Sequence, residues 1–503
     1  MLLDEPMLNR TDSQGLSPAE ALPTVIDGLT ADSRAVQPGY LFAALPGVKA
    51  DGRAFVGDAL NKGAGAILMP EGTDLAAEVI AQARRQDTVL LTSREPRRAL
   101  ARMAAAFYGR QPDTVAAVTG TNGKTSVAVF TAALWASAGH GAASLGTLGI
   151  HGQGPAASVY RDGNMTTPDP VTLHGLLKDV ADAGVTHLAM EASSHGLSQY
   201  RLDGVTICAA AFTNLTQDHL DYHGTMEAYL AAKARLFSEV LMSGGTAVLN
   251  ADDATLSTLA PLAERRGARL LRYGRKGAEL TLVDSTLTAA GQVLSLSLLG
   301  KSHRVTLPLA GGFQALNALA ALGLAVGGGL PIDQALAGLE TLQSVPGRMD
   351  LVGCRAHGAP VYVDFAHTPD ALETVLKTLR PHCAGRLICV FGAGGDRDTA
   401  KRPLMGAAVA QHADLGIITD DNPRSEVPAT IRAAIAVACP GATEIGDRAE
   451  AIAHGIALLE PEDLLVIAGK GHETGQTVAG VVHPFDDRDV ARQALQDLDG
   501  GRT

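Results

Sequence analysis

The stretch VTGTNGKTSV, Val118–Val127, constrains the fold more than any other segment of the chain. The common nucleotide loop is G-x-x-x-x-G-K-[ST]. Gly123, Lys124 and Thr125 fit it, but the leading glycine would fall at position 118, which is valine, and Gly120 lies only three residues before Gly123. Ala116–Val118 end an apolar run that reads as a buried strand. Val127, Phe130 and Leu134 mark one face of a helix that Gly139 can stop. Residues 119–125 are therefore predicted to turn from strand to helix. There, backbone N–H groups and the helix N-terminus favour an anion. Lys124 would neutralise phosphate oxygens, and the Thr125 hydroxyl would reach Mg²⁺.

A chain of 503 residues predicts about three domains. Its residues are 46% apolar but only 4% aromatic, so the cores must be built from Ala, Val, Leu and Ile, which suits α/β packing. The net charge of −12, with no long basic block, argues against nucleic acid. Cys208, Cys354, Cys383, Cys389 and Cys439 form no C-x-x-C pair and read as scattered core thiols of a reducing compartment. The start, MLLDEPMLNRTD, is acidic where a signal peptide is basic, and the most apolar stretch, Ala318–Leu330, is too short to span a bilayer. A cytoplasmic protein is expected. Composition and motif spacing place soft boundaries near residues 111 and 343, giving blocks 1–111, 112–343 and 344–503.

Polar clusters fall where apolar runs end. The run 187–190 ends in Glu191-Ala192-Ser193-Ser194-His195-Gly196, and 207–213 ends in Asn214-Leu215-Thr216-Gln217-Asp218-His219. In the third block, VYVDF ends near Asp364 and His367, LICVF in GAGGDRD (392–398), LGIIT in DDNPR (420–424), and LLVIA in GKGHE (469–473). Open parallel sheets bind ligands beyond the carboxyl ends of their strands. Two such edges predict a cleft between two α/β domains. After VDFAHTPD a helix is expected, with Thr368 as cap, Pro369 in the first turn, and Leu372, Val375, Leu376 and Leu379 on one face.

Glu191, at a sheet edge beside a G-K-T loop, is a candidate for the Mg²⁺ of a nucleotide. His219 and His223 stand at i, i+4, but a zinc protease needs Glu after the first His and Leu220 is there. GAGGDRD fails the dinucleotide fingerprint because Arg397 replaces its last glycine, and no N-K-x-D base-reading motif occurs. Lys233, in YLAAKARLF with Tyr229, Leu230, Leu236 and Phe237, reads by itself as a surface lysine of a helix.

T-G-T-N-G-K-T, E-A-S-S-H-G, T-N-L-x-x-D-H-L-D-Y-H-G, A-K-x-x-L-F, N-A-L-A-A, G-R-M-D, D-F-A-H-T-P-D, G-G-D-R-D-x-x-K-R-P, D-N-P-R and G-K-G-H-E occur in this order. Together they resemble the Mur ligases of bacterial cell-wall synthesis, and within them the diaminopimelate-adding branch. The likeness covers nearly the whole chain, and T-G-T-N-G-K-T is that family's own form of the loop. It implies an α/β protein of three domains: a smaller N-terminal α/β domain that binds UDP, a central P-loop-type ATPase domain with a mostly parallel sheet, and a C-terminal Rossmann-like domain. It implies that ATP phosphorylates the D-glutamyl γ-carboxylate of UDP-N-acetylmuramoyl-L-alanyl-D-glutamate. The amine of meso-2,6-diaminopimelate then attacks, and ADP and phosphate leave.

Residue roles follow from the same resemblance. Lys124, Glu191, His219 and Lys233 are the implied catalytic set. Gly120, Thr121, Asn122, Gly123, Lys124, Thr125, Ser126, Asn317, Arg348 and Asp364 match nucleotide contacts. Ser33, Thr166, Thr167, Ser193, Gln199 and Arg201 match contacts to the UDP substrate. Arg397, Asn422, Arg424, Gly469 and Glu473 match contacts to the diamino acid. Two Mg²⁺ ions are implied, with Thr125, Glu191, His219 and Lys233 as ligands, Lys233 after carbamylation by CO₂. A monomer is expected. Two departures stand out: Gln314 where many relatives have Asn, and Phe365 where Tyr is usual. The rivals are the same scaffold adding L-lysine, which D-N-P-R disfavours, and a non-catalytic nucleotide-binding regulator, against which Glu191, His219 and Lys233 argue.

Overall fold

The computed structural model describes residues 9–10 and 25–500, apart from 48–49, 162, 164, 289–290 and 310. Most of the acidic N-terminal stretch read above for a targeting signal lies outside the described residues. Three main sheets and one small hairpin follow one another along the chain.

The first sheet has five strands. Gly28–Thr30, Tyr40–Ala43, Ala66–Pro70 and Val89–Ser93 run parallel, and Asn9–Arg10 pairs antiparallel with the last. The strand Ala66–Pro70 is apolar and is buried from Ala66 to Met69.

The second sheet has eleven strands. Thr114–Thr119 lies inside it, flanked in parallel by His187–Glu191 and Ile207–Phe212. Ala142–Gly146 continues the parallel set on one side, and Leu241–Asn250, Arg269–Gly274 and Leu280–Thr288 on the other. Both edges turn antiparallel. The helix Lys124–Ser137 follows the loop and is buried nearly all round, from Thr125 to Trp135. It lies between the sheet and the helix Gly312–Gly327, so it needs no polar face. The Ala-rich stretch 318–330 is thus core packing, and among the described residues no helix is long and apolar enough to cross a membrane.

The third sheet has six strands. Pro360–Asp364, Leu464–Ala468, Leu387–Phe391, Leu415–Ile418 and Thr443–Glu444 are parallel neighbours in that order, and Asp350–Cys354 is the antiparallel edge. The helix Pro369–Leu379 begins where its signals put it. The Thr368 hydroxyl accepts from the Ala371 N–H at 3.3 Å, and Leu372, Val375, Leu376 and Leu379 are buried. The cysteine reading needs correction. All five are unpaired thiols, but only Cys383, Cys389 and Cys439 are core; Cys208 is half-buried and Cys354, on the edge strand, is exposed.

Candidate active site

Val118 is a strand residue, paired with Glu191 on one side and Ala211 on the other, so the turn starts only at Gly120. The shorter loop demands glycine twice. Gly120 has φ 148°, and a Cβ there would lie 1.8 Å from Thr213 Oγ1. Gly123 has φ 86°, with a Cβ 2.6 Å from Asn317 Oδ1. Asn214 holds the loop from the neighbouring strand end: its carbonyl accepts from the Thr121 N–H and its Oδ1 from the Asn122 N–H, both at 2.9 Å. The N–H groups of the first helical turn keep no intrahelical acceptor and remain for an anion.

Beside the loop, Glu191 ends its strand and is 1% exposed. Its Oε1 accepts from the Thr125 hydroxyl at 2.9 Å and from the Thr147 N–H at 2.8 Å. Thr147 Oγ1 donates to Glu191 Oε2 at 3.3 Å and meets Thr166 Oγ1 at 3.0 Å. Thr147 was not foreseen, although its place just past the strand Ala142–Gly146 is the same strand-end signal that exposed Glu191. Among the described residues, no group of three or more His, Cys, Asp or Glu side chains is placed to hold a metal ion. A hydroxyl and one carboxylate beside a phosphate loop fit Mg²⁺ that arrives with a nucleotide, since Mg²⁺ keeps its waters and takes one or two carboxylates plus phosphate oxygens.

Lys233 overturns its reading as a surface lysine. It is 1% exposed, and its Nζ donates to the Gly120 carbonyl at 2.7 Å. Lys124 Nζ donates to that same carbonyl at 3.0 Å and to Thr121 O at 2.7 Å. Two amines converge on one oxygen. Burial, then the Lys124 charge, drives the Lys233 amine well below the ordinary lysine range. His219 departs from a regular i, i+4 helical pair: it precedes the one-turn helix Leu220–His223 with φ 54°. Burial keeps its ring neutral, the form that ligates metals.

Residues of the third sheet's strand ends complete the pocket. Arg348 donates from Nη2 to Thr125 Oγ1 at 3.2 Å and lies 4.1 Å over the Phe365 ring. A phenyl ring serves that cation–π contact without the missing hydroxyl. Asp364 accepts from the Met349 and Ala366 N–H groups at 2.7 and 2.8 Å. Asn317 donates to Gln314 Oε1 at 3.0 Å, so Gln314 acts behind it. A cavity of about 290 Å³ collects residues 121–126, Thr166, Glu191, Ser193, His219, Lys233, Asn317, Arg348 and Asp364.

Next to it, a cavity of about 210 Å³ brings together Arg397, Asn422, Arg424, Gly469 and Glu473. Asn422 Nδ2 donates to Glu473 Oε2 at 2.8 Å, and the fully buried Lys470 donates to the same oxygen at 3.0 Å. Arg424 sits at φ 53°. The hairpin Gly475–Pro484 holds it there: the Arg424 N–H donates to Thr477 O at 3.0 Å, and the Ala479 N–H to Arg424 O at 2.6 Å. Arg424 Nη1 donates to Gly395 O at 2.6 Å. Burial, then the like charge of Arg397, lowers the Arg424 guanidinium from its ordinary range. Asp218, His219, Phe365 and His367 line both cavities.

The remaining residues matched to a UDP substrate divide. Thr167, Ser193, Gln199 and Arg201 form one network: the Ser193 N–H donates to Thr167 Oγ1 at 3.0 Å, and Arg201 donates to Thr167 O at 2.5 Å and to Gln199 Oε1 at 2.8 Å. Thr167 Oγ1 in turn donates to Glu191 O at 2.9 Å. Ser33 stands apart, in a 3₁₀ turn of the first sheet's domain, and lines neither cavity.

Comparison with known families matches residues 25–108 to "Mur ligase family, catalytic domain", 118–325 to "Mur ligase middle domain" and 347–471 to "Mur ligase, glutamate ligase domain". The chain is 53% identical over 479 residues to the UDP-N-acetylmuramoyl-L-alanyl-D-glutamate–2,6-diaminopimelate ligase of Caulobacter vibrioides, covering 94% of this chain and 96% of that protein. It is 49% identical to the ligase of the same name from Mesorhizobium japonicum, covering 97% and 99%. Among solved structures, one of a ligase of that name superposes with a TM-score of 0.66 at 36% identity over 94% of this chain and 95% of that one. The MurF ligase of Thermotoga maritima in complex with ADP shares the fold at 19% identity, with a TM-score of 0.62 over 96% and 100%.

Proposed function

The chain belongs to the Mur ligase family, and from that premise we propose that its two adjoining cavities are the nucleotide and amino-acid sites of one amide ligase. The protein is an ATP-dependent ligase of peptidoglycan synthesis that adds 2,6-diaminopimelate to UDP-N-acetylmuramoyl-L-alanyl-D-glutamate. The observation that carries the pairing is the shared wall, Asp218, His219, Phe365 and His367, between a phosphate-binding cavity and one that faces a ligand with two guanidinium groups and a carboxylate.

Residues 112–343 hold ATP, residues 1–111 the uridine end of the substrate, and residues 344–503 the diamino acid. The first-turn N–H groups, Lys124 and Arg348 bind the triphosphate, and Asn317 and Asp364 complete the nucleotide pocket. An oxygen of the D-glutamyl γ-carboxylate attacks the γ-phosphorus, the bond to ADP breaks, and an acyl phosphate forms. Thr166, Thr167, Ser193, Gln199 and Arg201 position that carboxylate through the network that ends on Glu191; Ser33 contributes from the N-terminal domain. The amine of meso-diaminopimelate then displaces phosphate. Enclosure between domains protects the acyl phosphate from water.

Thr125, Glu191 and His219 would hold Mg²⁺. The bound ions supply charge neutralisation to the transferred phosphoryl group. Lys233 as an ammonium does not fit beside a cation. A buried amine whose basicity is suppressed attacks CO₂ through its free lone pair: the N–C bond forms as one C=O π bond opens, the nitrogen gives up a proton to solvent, and the resulting carbamate would offer an anionic oxygen on the loop. We therefore assign Lys233 as an N6-carboxylysine and fourth ligand.

Arg424 and Arg397 take carboxylates of the diamino acid, and Glu473, oriented by Asn422, takes an ammonium; Gly469 allows close approach. A monomer is proposed, and the substrates are those of a cytoplasmic enzyme. Phosphate release with the UDP dipeptide and a panel of amino acids tests the reading. Release with meso-diaminopimelate and not L-lysine is expected. Equal use of L-lysine overturns the substrate assignment, and no release with any amino acid leaves the non-catalytic regulator.

A further inference from the structure

His367 is not among the residues to which a role has been given, yet it lines both cavities. Its Nδ1 lies 2.8 Å from the Phe365 carbonyl. A carbonyl can only accept, so Nδ1 carries the proton, and in the neutral ring Nε2 carries a lone pair. The nearest carboxylate, Asp218 Oδ2, is 3.9 Å from Nε2, too far for a hydrogen bond that would occupy it. The ring is 34% exposed, and it lines the two cavities that the reaction must join. The Thr368 cap and the helix Pro369–Leu379 immediately after it hold the backbone.

We propose that His367 is a catalytic base, its Nε2 taking a proton from the diaminopimelate ammonium as the amine attacks the acyl phosphate. The proposal rests on the ligase reading above. The ammonium gives one proton to Nε2, and the freed lone pair forms the bond to the acyl carbon. The bond from that carbon to the phosphate oxygen breaks, and the phosphate leaves with the second N–H proton. The imidazolium then releases its proton to water through the amino-acid cavity. The charged and titratable groups around the ring include Lys401, Asp218, Arg348 and His472, and His219, whose Nε2 lies 3.4 Å from the same Asp218 Oδ2. Burial and Lys401 hold the imidazole below its ordinary range while Asp218 pulls the other way, so the base is free at neutral pH and its conjugate acid has a carboxylate beside it.

The test separates proton removal from acyl-phosphate formation. His367→Asn keeps a donor for the Phe365 carbonyl but has no atom at Nε2; His367→Gln places an amide of no basicity there. Each is assayed with ATP and the UDP dipeptide, using either meso-diaminopimelate or hydroxylamine, which is unprotonated at neutral pH and needs no base. Positioned general bases contribute about 10²–10⁴-fold. Diaminopimelate ligation should fall by about that factor in both variants while hydroxamate formation stays at the wild-type rate. Retained hydroxamate formation also reports an intact nucleotide site. Parallel loss of both products, or full ligation in either variant, overturns the role of His367. Failure of the wild type to ligate diaminopimelate while it forms hydroxamate overturns the amino-acid assignment itself, and the base with it.

Discussion

Replacing Arg424 by lysine keeps the charge and removes the fork. In the structure, Nη1 is engaged by the Gly395 carbonyl at 2.6 Å, which fixes the guanidinium plane and leaves the Nε–Nη2 edge for a carboxylate. Two charge-assisted hydrogen bonds at about 1.5–3 kcal/mol each would make the proposed bidentate grip. Lysine can keep one, so Arg424→Lys should lose about 1.5–3 kcal/mol, or about 10- to 150-fold in kcat/KM for meso-diaminopimelate. Arg424→Ala should lose both, about 10²–10⁴-fold. The KM values for ATP and for the UDP dipeptide should hold, because Arg424 lines only the amino-acid cavity. L-lysine lacks the far carboxylate and presents an ammonium to Arg424 and Arg397, so the wild type should reject it, and Arg424→Ala should narrow that preference. Phosphate release at varied concentrations of each amino acid measures all of these values. If Arg424→Ala keeps the wild-type ratio between diaminopimelate and lysine, the discriminating carboxylate is held elsewhere and the argument fails.

Lys233→Ala should be nearly inactive and partly rescued by short carboxylic acids, which can place an oxygen where the carbamate would be; a fully active unrescued variant would remove the carbamate. Mass spectrometry of the wild type in bicarbonate should find the added CO₂ on Lys233. Gly120→Ala puts a Cβ 1.8 Å from Thr213 Oγ1, so the loop must shift by an ångström or more, and kcat/KM for ATP should fall about 10²-fold; unchanged ATP kinetics would mean that the loop tolerates a side chain. His174 is 2% exposed, its Nε2 has no hydrogen-bond partner among the described residues, and burial holds it at about 4. The unfolded state then binds the extra proton below about pH 6.5, so stability falls with pH from there towards 4 and is intact above it. By pH 5 the loss from this one group is about 2 kcal/mol, and His174→Leu should show a smaller drop in Tm between pH 7.5 and 5 than the wild type; parallel drops would refute the assignment.

Much of the fold was legible because its signals are local. The strand ending at Thr119, the helix starting at Lys124 and the Thr368-capped helix are each specified by residues within one turn of each other. The two sheet edges were legible for the same reason, as polar clusters that end apolar runs. What the sequence hid is non-local. Nothing near Lys233 in the chain tells that it reaches the Gly120 carbonyl 113 residues away. Thr147 earns its place only because two parallel strands put its N–H beside Glu191, and Cys354 is exposed because its strand is an edge. Arg424 presents a subtler case: D-N-P-R names the residue, but its left-handed backbone depends on a hairpin more than fifty residues downstream.

Asp218, His219, Phe365 and His367 belong to both cavities at once. Among the described residues, three hydrogen bonds bridge the second and third sheets' domains around that boundary: Arg348 to Thr125 at 3.2 Å, Asn122 to Asp370 at 3.2 Å and Gln217 to Asp398 at 3.2 Å. A party wall of this kind makes timing and geometry the same thing. Any rotation that opens one chamber for product exit also moves the partition of the other, so ADP and the tripeptide product cannot be released by independent doors. It also sets a rule for inhibitors. A compound that reaches past the partition from the phosphate loop to the two arginines would be anchored in both chambers, and its second anchor would bind at the effective concentration set by a short tether rather than at that of free amino acid.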